Sequence, residues 1–541
     1  MIINFIIKYS VNIFLLFLIS YSLYLGLTYA KYHIDPWHWG TITSESLDYI
    51  NNFKLFKDIT LMYGPGQPIL FKTINNFYKI DYYSIGIITC FAYVTNILFC
   101  FLIFKKLSNK YLALLLIFCI IALLPYPQVP WPDFYAGLCI TLSCFFLITY
   151  QNAKDQWKIY LSGIFLLLSI VFRNTYLIHI SLAIINFYIF IILIKKKNIP
   201  YNLKKTFNFF FLLSVCIIIF LFLTNNLNLW YTQGIGRLDR YTEVQTILNN
   251  SVTKFTYHLL VPKSLGNFYF LLIYSINFWI LIFFLFFRKN LKKKNEPKDL
   301  IIIFFSLLGL FGIIQSFNQF EIWRNINACI PIFFVLSYAL NNKIKKLLNK
   351  SEIILYLIVF FIFLPMIKLP WQPTNEKFST LIFPTFGHED YDSNKDPSVN
   401  WRFVYHNSEY FKKSNIEFFG NHLFTSETNN YYQNIKEIIC PFSKIVNFTM
   451  DRTLVYICDK KNGIKSTFSD IYPPIFFDKE LQNKMEKNEI DSETIILADK
   501  NFKNINLKLI KVINIPKNTR YTKGGLYRQY FDNEIFIYVK K

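Results

Sequence analysis

Before position 370 the sequence is a series of long apolar blocks separated by short polar gaps, and this pattern decides the class of fold. A helix needs about 20 predominantly apolar residues to cross the hydrocarbon core of a bilayer. In lipid each backbone N–H and C=O must be bonded within its own segment, so blocks of this kind form helices. The blocks at 9–30, 83–104, 111–126, 135–150, 159–172, 175–194, 207–224, 268–287, 301–316, 326–341 and 352–369 are candidate spans, eleven in all. Arg173 and Asn174 part 159–172 from 175–194, which reads either as two short helices with a tight turn or as one broken segment.

The gaps set the direction of these spans. With the N-terminus inside, the cytoplasmic gaps are 105–110, 151–158, 195–206, 288–300 and 342–351, and together they hold 20 Lys and Arg. The opposite gaps, 31–82, 127–134, 173–174, 225–267 and 317–325, are far longer in total yet hold 11. This is the positive-inside bias, and it favours two separate helices on either side of Arg173. An odd number of crossings then puts the tail outside. The formal charge of +23 would point to nucleic acid in a soluble chain. Here most lysines before 370 have this topological reason, so no nucleic-acid partner is expected.

Residues 1–369 are therefore expected to form a polytopic transmembrane domain with a large first outer loop at 31–82. Residues 370–400 are polar and turn-rich and read as a linker. Residues 401–541 read as a small extracytoplasmic α+β domain. Its expected strands are 401–405, 454–458, 493–498, 507–513 and 534–539, with helical pieces at 407–415 and 478–488. The alternation in TLVYIC and EIFIYV supports half-buried strands. Seven of the nine cysteines lie in or beside apolar blocks, where Cys behaves as a small hydrophobe. Cys440 and Cys458, in the tail, either form a disulfide or remain buried thiols.

The outer gaps collect the chemically unusual residues. The first contains Asp35, His38, Glu45, Asp48 and Asp58, then Tyr63-Gly64-Pro65-Gly66-Gln67-Pro68. Its stretch 43–55 is expected to form a short surface helix capped by Thr43 or Ser44, and 68–78 has an apolar face suited to the membrane interface. The second gap holds Trp131 and Asp133, with Asp133 read first as a cap of the following helix. The others hold Arg173, Arg237, Arg240, Gln319, Glu321 and Arg324. Charged groups this close to lipid are costly unless paired or used, although each taken singly is also explained by snorkelling to water. Together they describe a cavity at the outer boundary. In it acids such as Glu45 orient an acceptor, arginines hold a phosphate, and Tyr63 and tryptophans flank a sugar.

The phrase DPWHWGTITSESLDYINNFKLFKDITLMYGP over 35–65 resembles the first outer loop of bacterial polytopic glycosyltransferases of the GT-C fold, among them aminoarabinose transferases and protein O-mannosyltransferases. Asn52 stands where many relatives carry Gly. The resemblance is strongest over 1–150 and only topological over 151–369. It implies an all-α bundle of about eleven helices with an extracytoplasmic domain, in a bacterial inner membrane. It also implies transfer of a sugar from a polyprenyl-phosphate donor to a glycan, lipid or protein acceptor. Asp35 would be the catalytic base and Asp58 a second acid. His38 would orient Asp35 or touch the phosphate. Arg173, Arg237, Arg240 and Arg324 would hold the donor phosphate, with Glu321 pairing one of them. Some members place a divalent metal between outer acids; metal independence is the expectation here. The competing classes are a polytopic transporter, an O-antigen polymerase or ligase, and a non-catalytic assembly protein.

Overall fold

The structure, a computed structural model, describes residues 2–32, 38–59, 61, 63–127, 129–150, 155–194, 199–231, 233, 265–283, 296–316, 322–347, 359–362, 411–449, 451–458, 490–498, 501, 506–516 and 534–541. It is predominantly helical, with a small β-rich region at the C-terminal end. The chain falls into two compact units. The first comprises 1–26, 89–127 and 132–391. The second comprises 27–88, 128–131 and 392–541.

The helices are α1 (Ile2–Tyr32), α2 (His38–Ile50), α3 (Gly66–Asn75), α4 (Tyr82–Leu107), α5 (Lys110–Leu123), α6 (Pro132–Thr149), α7 (Gln156–Phe172), α8 (Tyr176–Ile189) and α9 (Tyr201–Leu223). They continue with α10 (Leu227–Trp230), α11 (Leu265–Ile282), α12 (Glu296–Phe311), α13 (Ile322–Cys329), α14 (Pro331–Leu347) and α15 (Ser426–Ile439). Among the described residues five segments are long and apolar enough to cross a membrane, at Ser10–Tyr32, Tyr82–Leu107, Pro132–Thr149, Tyr201–Leu223 and Lys298–Ser316. The chain is thus an integral membrane protein, but among the described residues the expected full spans appear as five long helices and several shorter apolar ones, and the expected span 352–369 lies outside the described residues except for 359–362. Length sets the shorter helices apart. α5 has 14 residues and rises only about 21 Å, against a hydrocarbon core of about 30 Å. The block at 326–341 is likewise divided, into α13 and α14, before Pro331. The expected separation at Arg173 is present, between α7 and α8.

Small residues let the helices of the first unit approach closely. Ser143 of α6 and Ser162 of α7 share a hydrogen bond of 2.8 Å. A Cβ on Gly163 would lie 3.1 Å from the carbonyl of Thr206 in α9. One on Gly137 of α6 would lie 3.0 Å from the carbonyl of Asn327 in α13. This is the packing expected where helices meet without a hydrophobic drive between them. Asn109 caps α5, its side chain accepting from the amides of Tyr111 and Leu112 at 3.0 and 2.8 Å, a cap worth about 1 kcal/mol. The outward face of α9 carries Leu212, Phe220, Phe222 and Leu223, exposed by 58 to 73% in the isolated chain. That apolar face is what a helix facing lipid presents.

The second unit joins residues 27–88 and 128–131 to the described C-terminal residues. A two-stranded ribbon pairs β1 (Phe411–Lys413) with β2 (Leu423–Thr425). A four-stranded sheet has the order β3-β4-β6-β5, from β3 (Lys444–Phe448), β4 (Thr494–Ala498), β5 (Leu507–Asn514) and β6 (Glu534–Lys540). β3 and β4 are parallel; the other pairs are antiparallel. Trp39 of α2 is buried, stacks on Tyr82 at 5.1 Å and donates its indole N–H to the Tyr82 carbonyl at 3.0 Å. Tyr456 donates to Asp48 at 2.5 Å and to the Ser44 carbonyl at 3.2 Å. His422 bonds the Ala30 carbonyl at 3.0 Å, and Lys79 pairs with Glu417 at the surface.

Some local expectations are corrected. The stretch expected as a strand at 454–458 lies in a 3-10 helix, Arg452–Cys458. The Asp451 carboxylate accepts from the Thr453 amide at 2.9 Å and from the Tyr432 hydroxyl at 2.9 Å, and such local bonds compete with strand pairing. Phe411–Lys413, expected within a helix, is β1. Thr43 and Ser44 do not cap α2, which begins at His38; their hydroxyls bond the carbonyls of Trp39 and Thr41 inside it. The expected pieces at 401–405 and 478–488 and the linker 370–400 lie outside the described residues. Strands β4, β5 and β6 fall where expected. Cys440 and Cys458 are joined in a disulfide.

Candidate functional site

Two polar clusters hold the described candidate residues, one in each unit. In the first unit α7 ends at Phe172, where the amide of Arg173 bonds the Ser169 carbonyl at 3.0 Å with extended backbone (φ −143°, ψ 106°). The Arg173 carbonyl then accepts from the Tyr176 amide at 3.0 Å, and α8 begins. Arg173 is thereby fixed in a short break between two apolar helices. Its guanidinium donates to the carboxylate of Asp133, in the first turn of α6. Its Nε–H is shared between Gln315 Oε1 and Thr175 Oγ1, each at 3.2 Å. The Thr175 hydroxyl donates to the same Gln315 oxygen at 2.5 Å. Asp133 and Arg173 are both buried, at 0 and 7% side-chain exposure. Asn174 accepts from the indole of Trp230 at 3.2 Å.

Arg324, in α13, acts electrostatically on Asp133. The tight approach of Gly137 to Asn327 explains why: it holds α13 against α6 near that turn. One carboxylate therefore interacts with two guanidinium groups among the described residues. Tyr176 is fully buried and interacts with both Asp133 and Arg173. Around this centre several buried polar atoms have no hydrogen-bond partner among the described residues: Asp133 Oδ1, Gln315 Nε2, the Tyr176 hydroxyl and the neighbouring Ser316 hydroxyl. Native interiors leave few such atoms. A cluster of them beside a buried Arg offers three donors and one acceptor to a polar group.

In the second unit Glu45 and Asp48 are buried on α2. Burial pushes the Tyr456 hydroxyl well above its usual range, and the Asp48 carboxylate adds to the effect. Asp58 accepts from the Lys54 amide at 2.9 Å and closes a turn that holds Phe56 at φ +67°. Tyr63 packs edge-on against Trp131 at 4.7 Å. Gln67 donates to the Pro130 carbonyl at 2.7 Å, so the Tyr-Gly-Pro-Gly turn is seated on the segment before α6. Burial raises the Asp451 carboxyl to about 6.

Of the residues singled out from sequence, Arg173 and Arg324 come together in the first unit. Glu45, Asp58 and Tyr63 lie in the second. His38 opens α2, and nothing is described of its side chain. Asp35, Arg237, Arg240 and Glu321 lie outside the described residues. Asp133, Gln315, Thr175 and Tyr176 were not among the expected site residues. For Asp133 the available signal was its place in 127–134, which precedes the gap of Arg173 among those expected on the outer side. Among the described residues no three His, Cys, Asp or Glu side chains gather as a metal site.

No protein-family model and no curated protein matches the chain. Among solved structures it is similar to the Archaeoglobus fulgidus oligosaccharyltransferase in its apo form, with 10% identity and a TM-score of 0.48 over 91% of this chain and 70% of that one. It is similar also to ArnT from Cupriavidus metallidurans bound to undecaprenyl phosphate, with 9% identity and a TM-score of 0.47 over 90% and 92%. Overlap at this level bears on no residue and no reaction. The functional reading rests on the side chains described above.

Proposed function

We propose that the protein is a membrane glycosyltransferase that moves a sugar from a polyprenyl-phosphate-linked donor to an extracytoplasmic glycan, lipid or protein acceptor. The observation that carries the reading is the buried Arg173, braced by Asp133 and Gln315, in a unit where Asp133 Oδ1, Gln315 Nε2 and the Tyr176 hydroxyl have no hydrogen-bond partner among the described residues. A charged group kept inside an apolar bundle marks a functional site by default, and a pre-positioned guanidinium suits a phosphate. The shorter apolar helices are read as the remaining crossings. With the lysine bias, they put the N-terminus inside and residues 401–541 outside, in a bacterial inner membrane.

In this reading Arg173 and Arg324 hold the donor phosphate, with Arg237 and Arg240 as further donors and Glu321 as a partner to one of them. Asp35 is the base that takes the acceptor proton, oriented by His38. Asp58, Glu45 and Tyr63 belong to the acceptor side. Attack by the acceptor oxygen on the anomeric carbon breaks the bond to the phosphate oxygen, which keeps the electron pair. The test is binding of undecaprenyl phosphate to the purified protein, measured by native mass spectrometry. Binding that Arg173→Lys weakens in protein that still folds supports the proposal, and no binding by the unsubstituted protein overturns it.

A further inference from the structure

We infer that the end of the helical unit where α4 closes and α12 opens docks an anionic phospholipid, its phosphodiester between Lys106 and Lys298 and an acyl chain along the outward face of α4. The site is separate from the proposed donor site and does not rest on it. α14 builds it by bracing two helix ends. Phe334 of α14 packs edge-on against Phe104 of α4 at 5.4 Å and against Phe305 of α12 at 6.0 Å. One turn on, Ser337 shares a 2.9 Å hydrogen bond with Ser108. Asn341 donates to the carbonyl of Leu107, which ends α4, at 3.2 Å. Towards α12 the buried Tyr338 donates to Asp299 at 2.6 Å, and its ring lies 5.4 Å from the Lys298 ammonium. Lys298 is half-buried and is held by that ring. Lys106, exposed at the end of α4, acts on it electrostatically.

Charge selects an anion. Lys106 and Lys298 share this corner with the Asp299 carboxylate, and the sequence carries the excess further. The gaps 105–110, 288–300 and 342–351 hold 13 Lys and Arg against two acids, Glu296 and Asp299. Cations held near one another repel, and an anion between them relieves that cost. A phosphodiester brings one negative charge and oxygens that accept from both ammonium groups. The apolar half of the site selects a lipid over a free phosphate. Phe91, Leu98 and Leu102 are exposed by 54, 41 and 37% in the isolated chain. With Lys106 they recur at helical spacing and so share one face of α4. From Phe91 to Lys106 the helix rises about 22 Å. That exceeds the hydrocarbon half of one leaflet, about 15 Å, and leaves the lysine at headgroup depth. Basic pockets between helix ends recognise anionic headgroups on the side where lysines collect.

The test offers the full-length protein in detergent equal amounts of phosphatidylglycerol and phosphatidylcholine with identical acyl chains, and reads retained lipid by native mass spectrometry. Phosphatidylglycerol should be retained in preference. Lys106→Gln and Lys298→Gln should each lower its retention about fivefold, and the double substitution about thirtyfold, the scale of one and two lysines at an anionic headgroup. Should Lys298→Gln fail to fold, Lys106→Gln, at an exposed position, carries the test alone. Lys158→Gln should leave retention unchanged, since Lys158 already pairs with Asp155 at 3.0 Å. Equal retention of the two lipids, or an equal loss in Lys158→Gln, overturns the inference. Displacement by an equal amount of the water-soluble deacylated headgroup would show that the face of α4 takes no part, and overturns it too. Arg173→Lys should retain phosphatidylglycerol as the unsubstituted protein does. A loss there would place the lipid at the donor site and overturn this inference alone, whereas a failure to bind undecaprenyl phosphate overturns the donor reading and leaves this one standing.

Discussion

Arg173 donates to the carboxylate of Asp133, forty residues earlier in the chain, and the pair is buried within the helical unit. An ion pair in such a place is weak evidence of stabilisation, because desolvation offsets most of the attraction. Removing one partner is another matter, since it strands the other charge. Arg173→Ala or Asp133→Ala should each cost about 3–5 kcal/mol, and the double substitution less than their sum. Thermal unfolding in detergent measures this. Additive losses would mean that the pair is not coupled.

Arg173→Lys separates charge from geometry. Lys keeps the charge but lacks the planar fork that serves Asp133 and Gln315 together. Donor-phosphate binding should fall by about tenfold or more, the scale of one good hydrogen bond to a charged group, with a smaller loss of stability than Arg173→Ala. Native mass spectrometry against undecaprenyl phosphate reads the first quantity and a melting curve the second.

Asp451 gives the C-terminal region a pH dependence with a definite sign. Its folded carboxyl titrates at about 6, above the ordinary 3.8, because it is buried. The folded state thus binds the proton more tightly than the unfolded state. Its contribution to stability is full below about pH 4 and is lost as pH rises through 6. A shift of about two units is worth up to about 3 kcal/mol. Asp491, held near 2 by Lys444, acts in the opposite direction and in a lower window, losing its contribution as pH falls below 4. Melting of this region should therefore ease between pH 4 and pH 6, and Asp451→Asn should flatten that interval. An unchanged slope in the variant would exclude Asp451 as its source.

The disulfide joins the end of α15 to the end of the 3-10 helix that carries Tyr456, across 18 residues. By the chain-entropy argument, replacing both cysteines with Ser should cost about 3 kcal/mol. It should also loosen the contact of Tyr456 with Asp48. Protease resistance of the region with and without reductant measures the loss, and equal resistance would show that the bridge adds nothing.

Much of the helical part is readable from residue order, because lipid imposes length and polarity on each segment. The break at Arg173 stands out for that reason, as two polar residues between apolar runs. The partner of Arg173 does not, because an Asp at the start of a helix satisfies a local capping rule and gives no sign of a contact forty residues away. Residues 454–458 alternate like a strand, yet the Asp451 side chain organises a helical turn. The helix at 426–439 did leave a trace: Tyr431, Tyr432, Ile435 and Ile439 recur at helical spacing behind the Thr425 cap. That trace is faint among so many Asn, Gln and Glu residues. That the loop between the first two long apolar helices and the tail build one core is not expressed in either segment alone. It depends on pairs such as Trp39 with Tyr82 and Tyr456 with Asp48.

The central claim, sugar transfer from a lipid-linked donor with Asp35 as base, is tested most directly in cells. Asp35→Asn and a complete deletion would be compared by mass spectrometry of surface glycans and lipid-linked sugars, with protein level in the membrane checked alongside. The account predicts that both lose the same glycan and accumulate the same lipid-linked donor at normal Asp35→Asn protein levels. A deletion that changes the glycan while Asp35→Asn leaves it intact would contradict the role given to Asp35. A deletion that alters the glycan with no lipid-linked sugar accumulating would contradict transfer itself.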